Sequence, residues 1–435
     1  ACVSGRYRLF NIYRMKHIER YLFYLLLFLI PLQTRIILWQ QSWYFNEWQG
    51  AYIYATDILL LTLFVFWAWS YKSVQNRALN TFQKPDFYLI IFVIISALSI
   101  KNLLGVFSII KLLEFVTFFF YLKNYAIYKF GFSRSLAILV AGGLFQGGIA
   151  VLQFLKQSDL GLRILGESLL GKDMTGIASF FNWHGEKIIR AYGTTPHPNI
   201  LAAYLFLSIF ASYFIWFYKK VRYEYLFWAG YALLLFAFFF SFARVAVFLL
   251  GVNFVIRGCL FVLRFKSNFL RGKALKVVWV TGLIIVVFAV LYWPEALSRL
   301  KISGDEEAVQ MRIFYNRESL KSLNWFGVGT GNFVNWLMVV DPNLPRHLYQ
   351  PVHNIYLLIF SETGIPGAAA FATFLIFLVK DFIKRTKLER FHHYSLLLVF
   401  SSFLFMGVFD HFLWTIQQGR FMFWLILAML TIDEN

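Results

Sequence analysis

Apolar runs of roughly 15–25 residues recur along the chain, and short basic segments lie between alternate pairs of them. A helix rises 1.5 Å per residue, so about 20 such residues cross the roughly 30 Å hydrocarbon layer of a bilayer. Backbone groups in lipid must be satisfied within their own segment, which selects helices for runs of this kind. The expected spans are about 21–39, 55–71, 86–100, 103–122, 132–155, 198–218, 225–242, 244–262, 277–293, 353–379, 394–411 and 415–431. Lys and Arg gather on one side of this alternation, the cytoplasmic side by the positive-inside rule. The expected fold is therefore an all-α polytopic membrane protein with about twelve transmembrane helices and both termini inside. It is read as one transmembrane domain over 1–435, carrying a large outer loop over 294–352 before span ten.

Composition excludes the alternatives. The chain is 60% hydrophobic and 21% aromatic, more than a soluble core of this length can hide. A net charge of +19 would suit a nucleic-acid binder, but topology accounts for where the cations sit, so no nucleic-acid partner is expected. Cys2 and Cys259 both fall on the inner side, which argues against a disulfide. The first apolar run has no small-residue cleavage site, so no cleaved signal is expected. Within the spans, Pro31 suggests a kink in the first, and Gly142-Gly143 and Gly147-Gly148 in the fifth suggest close helix approach. The stretch 40–54, rich in Trp and Tyr, reads as an interfacial outer loop.

The informative charges lie on the outer side or inside spans. His353-Asn354 follows Pro351 at the lip of span ten, and Glu362 and Gly364-Ile365-Pro366-Gly367 follow within apolar sequence. His353 and Glu362 are nine residues apart, half a helical turn out of phase, which separates them as an acid–base pair. Arg244 interrupts a long apolar run near the outer end of span eight. In the large loop, Ser303-Gly304-Asp305-Glu306 is a capping-box pattern that announces a helix over about 304–323, with Arg312, Tyr315 and Asn316 on one face. Gly327-Val328-Gly329-Thr330-Gly331 lacks the βαβ context of a dinucleotide loop and reads as a tight structural turn. Arg190 closes the first outer loop, His197 sits between two prolines as a structural residue, and Pro198-Asn199 opens span six. Asp57 and Asp410-His411 read as isolated packing or gating residues. No metal-ligand spacing and no cofactor motif is present in the sequence.

Taken together, Arg190…Gly193…Pro198-Asn199, Ser241…Arg244, Arg312, Gly327-Val328-Gly329-Thr330-Gly331-Asn332-Phe333 and His353-Asn354…Leu357…Glu362…Gly364…Gly367 resemble the O-antigen ligase and polymerase family of bacterial membrane glycosyltransferases. The resemblance implies a GT-C-like fold in the bacterial inner membrane, with a site facing the periplasm. It implies metal-independent, inverting transfer of a glycan from undecaprenyl diphosphate to an acceptor hydroxyl on lipid A–core, another glycan or a protein. His353 would be the general base, Arg244 and Arg312 would hold the leaving diphosphate, and Arg190, Asn354 and Asn199 would bind substrate. Trp325, Phe333 and Trp336 would stack on sugar or hold the loop down. Ala243 departs from the family pattern, which often has a hydroxyl residue there. A solute carrier is the competing class, and it should place ionisable residues near mid-membrane with internal symmetry.

Overall fold

A computed structural model describes residues 17–71, 82–264, 268–301, 307–388 and 390–432. Helices occupy the expected spans: α1 (17–29), α2 (Ala55–Tyr71), α3 (Lys84–Leu98), α4 (Leu103–Phe130), α5 (Phe132–Lys156), α6 (Pro198–Tyr218), α7 (Glu224–Phe240), α8 (Arg244–Arg264) and α9 (Asn268–Leu291). The long loop carries α10 (Trp293–Leu300), α11 (Glu307–Lys321) and α12 (Phe333–Val340). The chain then returns through α13 (Ile355–Thr386), α14 (Phe391–Phe409), the one-turn α15 (Phe412–Thr415) and α16 (Gln417–Met429). Among the described residues, seven helices are long and apolar enough to cross a membrane, so this is an all-α polytopic membrane protein. The expected helix in the large loop is present as α11, while its Ser303–Glu306 cap lies outside the described residues.

The sequence-derived boundaries fail in two places. The first span ends near Pro31 rather than running to 39, because proline withholds a donor and stops the helix. Arg35–Gln40 instead forms strand β1, paired antiparallel with β2 (Gly50–Tyr54), so the aromatic stretch is a hairpin rather than an open loop. An Arg35–Glu47 ion pair ties the start of β1 to the segment that leads into β2, the second of its two bonds measuring 2.6 Å. Part of the basic segment between the expected spans 244–262 and 277–293 is helical, since α9 starts at Asn268 and carries Arg271, Lys273 and Lys276.

Helix α6 is apolar nearly all round and buried nearly all round, which makes it the centre of the bundle. Helix α5 reaches it through Gly142 and Gly143, where a Cβ would overlap the Tyr204 and Ser208 hydroxyls. Gly148 faces open space and takes no part in that approach.

Helix α13 is broken at Gly364, whose φ of 70° and ψ of −170° leave the helical region. Pro366 has no N–H, so the Glu362 carbonyl loses its partner four residues on. The glycine loop replaces the lost bonds from outside: Val328 N donates to Ser361 O at 2.7 Å and Gly329 N to Glu362 O at 3.1 Å. A Cβ on Gly327 would collide with the Glu362 backbone, and one on Gly364 with the Trp325 carbonyl. The glycine repeat is thus a backbone clamp on a broken helix, as its reading as a structural turn requires.

Buried charge appears at both ends of the bundle. Lys123, in a π-helical stretch of α4 over Leu122–Ala126, bonds both oxygens of Asp86 at 2.6 and 2.7 Å. Lys111 bridges Asp57 and Glu114. Asp57 also accepts from Tyr54 N at 2.9 Å and from the Gln417 amide, so it is part of a network rather than isolated.

Candidate active site

One end of the bundle collects the β1–β2 hairpin, the 156–197 loop, the α7–α8 turn, α11, the start of α13 and the α14–α15 turn. The turn between α7 and α8 is tight. Phe242 takes a left-handed φ of 45°, which is uncommon outside glycine, and its ring is held against Phe180 with centroids 4.8 Å apart. That turn starts α8 at Arg244, half-buried in its first turn. Arg190 is buried behind the same turn: its Nε donates to Ser241 O at 2.7 Å and its Nη2 to Asn199 Oδ1 at 2.7 Å.

Asn199 then passes the connection on, its Nδ2 donating to Asp410 Oδ2 at 2.9 Å. Arg312 approaches from α11, and its Nε donates to the Phe409 carbonyl at 3.1 Å, the C-terminal end of α14 where a cation is favoured. Tyr315, one turn further along α11, stacks on the His353 ring at 5.2 Å and 19° and donates its hydroxyl to Leu348 O at 2.6 Å. His353 also meets His411 edge-on at 4.8 Å. His411 Nδ1 is 2.6 Å from Thr415 Oγ1, and Trp48 packs edge-on against the same ring at 4.8 Å.

Electrostatics tie these groups together. Burial first, and then the guanidiniums of Arg299, Arg244 and Arg312, lower the Arg190 pKa to about 9. Burial lowers His353, Arg312 lowers it further, and Asp410 opposes both. The imidazole is therefore neutral at pH 7, and its Nδ1 is buried without a hydrogen-bond partner among the described residues. His197 and His411 are pushed down to about 3, chiefly by burial. For Asp410, burial works upward, but His411, His353, His197 and the Asn199 bond outweigh it and bring the carboxyl down to about 2. Arg312 acts through space on the His353 imidazole, whereas Arg244 acts on Arg190, which in turn acts on His197.

Each residue singled out in the sequence can now be placed. Arg190, Arg244, Arg312 and His353 gather at one end of the bundle. Asn199 joins Arg190 to Asp410, and Asn354 Oδ1 caps α13 by accepting from Tyr356 N and Leu357 N at 2.9 and 3.1 Å. His197 caps α6, accepting from Asn199 N at 3.1 Å. Phe333 is buried and packs the loop onto the bundle, while Trp325 is exposed. Glu362 lies under the glycine clamp, apart from His353's ring contacts. Asp410, His411 and Arg299 were missed as site residues. Asp410-His411 did end an apolar run just as His353 starts one, but only the fold brings the two ends together.

The fold and this cluster define a polytopic membrane protein with convergent arginines beside a neutral histidine. Residues 229–372 match a family model described as O-antigen ligase, and the match supports assignment to the O-antigen ligase/polymerase family. The matched stretch runs from α7 into α13 and includes Arg244, Arg312, His353 and Asn354 but not Arg190 or Asn199. No curated protein matches the chain.

Proposed function

We propose that this protein is a membrane glycosyltransferase that moves a glycan from undecaprenyl diphosphate to an acceptor hydroxyl, with inversion and without a metal ion. The observation that carries the proposal is the gathering of Arg190, Arg244, Arg299 and Arg312 around one place. Like charges brought together repel, and a diphosphate is an anion that would turn the repulsion into attraction. Guanidinium groups stay charged and bind phosphate oxygens through paired N–H donors.

In this reading Arg244 and Arg312 hold the diphosphate, and Arg190, fixed by Ser241 and Asn199, sets the field behind it. His353 removes the proton from the acceptor hydroxyl. The acceptor oxygen forms a bond to C1 of the sugar as the C1–O bond to the diphosphate breaks, and the electron pair leaves with undecaprenyl diphosphate. The developing negative charge falls where the arginines stand, which is the requirement for electrostatic catalysis. The site then faces the periplasm of a bacterial inner membrane.

The buried Lys111, Asp57 and Glu114 are the kind of in-span charges that a carrier would need; Asp57 was read as isolated, and Lys111 and Glu114 were overlooked in the sequence. Asp57 lies in the first turn of α2, and Lys111, eight residues or about 12 Å into α4, reaches both it and Glu114, so these charges are paired with one another. The test is incubation of the purified protein with undecaprenyl-diphosphate glycan and a chelator, offering lipid A–core, glycan and protein acceptors in turn. Transfer to one of them with inverted anomeric configuration is expected. Transfer only after a divalent metal is added, or none with any acceptor, overturns the proposal.

A further inference from the structure

The geometry points to a second binding site, at the opposite end of the bundle from the arginine–histidine cluster, for one anionic phospholipid. Exposed Lys219, Lys220, Arg222 and Arg390 mark that end as the cytoplasmic one. A groove of about 70 Å³ lies there between the start of α5, the end of α6, α8, the start of α14 and the end of α16. Most of its wall is hydrocarbon, with Leu136, Leu207, Ala211, Leu396 and Val399 in it. An apolar hollow of this kind stays dry and takes apolar matter, here a stretch of acyl chain.

One cation stands in that wall. Arg257 is 7% exposed and lies seven residues before the end of α8, about 10 Å along its axis. Its guanidinium sits over the Phe210 ring at 4.1 Å and the Tyr213 ring at 5.5 Å. Its Nη2 donates to Ser395 O at 3.1 Å. Nη1 makes no hydrogen bond among the described residues and, unlike Nε, is not closed off from the groove. Rings and a carbonyl thus hold the side chain in place without neutralising it. A charge inside a membrane span is costly, and one kept there marks a ligand site by default.

The acids at this end are already engaged. Among the described residues, Glu19 pairs with Lys129, Asp86 with Lys123, Glu224 with Lys276 and Asp381 with Arg385, and no carboxylate pairs with Arg257. A lipid phosphate supplies the missing anion, because guanidinium groups bind phosphate oxygens through paired N–H donors. Lys219 and Arg390 adjoin Tyr218 and Phe391 of the wall and add to the pull. Free phosphate would match the charge but leave the groove empty, and a neutral lipid would fill the groove but leave the charge. A phosphodiester carrying acyl chains does both, as basic pockets between spans on the cytoplasmic side do with anionic lipids. The site is remote from the proposed chemistry and does not depend on the glycosyl-transfer reading.

The test uses the full chain in phosphatidylcholine nanodiscs doped with phosphatidylglycerol that carries a diazirine in one acyl chain. Irradiation and peptide mass spectrometry should place label on α6 between Leu207 and Phe217 and on α14 between Phe391 and Val399, in excess over the largely exposed α9. Unlabelled phosphatidylglycerol should compete that excess away, whereas diacylglycerol and inorganic phosphate should not. Arg257→Gln should lower it about tenfold or more, the usual cost of losing a charged hydrogen-bond partner. Leu396→Trp keeps the arginine but narrows the groove, and it should lower the excess as well, so a misfolded Arg257→Gln would not leave the question open. No excess on the wild type, an unchanged excess in either folded variant, or an equal excess from a diazirine diacylglycerol overturns the inference. Competition by inorganic phosphate as strong as by phosphatidylglycerol would make this a site for the free anion and overturn it too.

Discussion

Two charged regions share the loop end of this bundle and obey opposite rules. Around Lys111, each cation has a carboxylate: Asp57 and Glu114 flank it, and Arg35 pairs with Glu47 nearby. Around His353, the guanidiniums of Arg299, Arg244 and Arg312 act on Arg190, and Asp410 acts on the imidazole. Balanced charge inside a protein is finished structure, and removing one partner exposes the desolvation cost of the other. Guanidiniums that repel one another make a place where an anion is favoured. The difference teaches where to look for chemistry in a chain with buried ions throughout.

Substitutions can break that comparison. His353→Ala is expected to lower turnover about a hundred- to ten-thousand-fold, the range for loss of a general base, with membrane insertion and thermal stability unchanged. Turnover within a few-fold of wild type would remove His353 from the chemistry. Arg244→Lys keeps the charge but not the planar fork, and should cost about a hundredfold in turnover at normal expression.

In the balanced region the effect should move from activity to stability. Lys111→Met strands two carboxyls in the interior and is expected to destabilise by about 3–5 kcal/mol, read as a fall in melting temperature. The triple change Lys111→Met, Asp57→Asn, Glu114→Gln should recover part of that loss. If the single and triple variants melt alike, the network is not held by charge balance.

A smaller effect concerns pH. His353 has its pKa lowered by burial and Arg312, so the acid limb of kcat/KM should lie below pH 6.5. Asp410→Asn removes the charge that favours the imidazolium, so it should move the limb further down. Arg312→Gln removes the charge that disfavours it, so it should move the limb up. Shifts of the opposite sign would mean that another group sets the limb.

Much of the fold was legible because lipid imposes one rule on every span, and runs such as 198–218 state it without interruption. The hairpin was not legible: Arg35–Gln40 is apolar enough to extend a span, and only pairing with Gly50–Tyr54 shows otherwise. Arg244 and His353 stood out in the sequence because charges are rare beside apolar runs, whereas Arg190 and Arg312, in polar loops, were marked out by the family resemblance. Asp410 and His411 could not be ranked above packing residues, since their importance comes from a 4.8 Å ring contact with a residue 58 positions away. Lys111 and Glu114 hid inside a helix that reads as ordinary membrane span, and Asn354 looked like a ligand residue although its side-chain oxygen caps α13.

The account stands on the arginine cluster as the seat of the diphosphate beside an independent base, and equilibrium binding of undecaprenyl diphosphate to purified variants tests this most directly. It predicts that the Arg244→Gln, Arg312→Gln double variant loses binding at least a hundredfold while His353→Ala binds as tightly as wild type. Equal affinity in all three proteins, or loss of binding in His353→Ala alone, would contradict it.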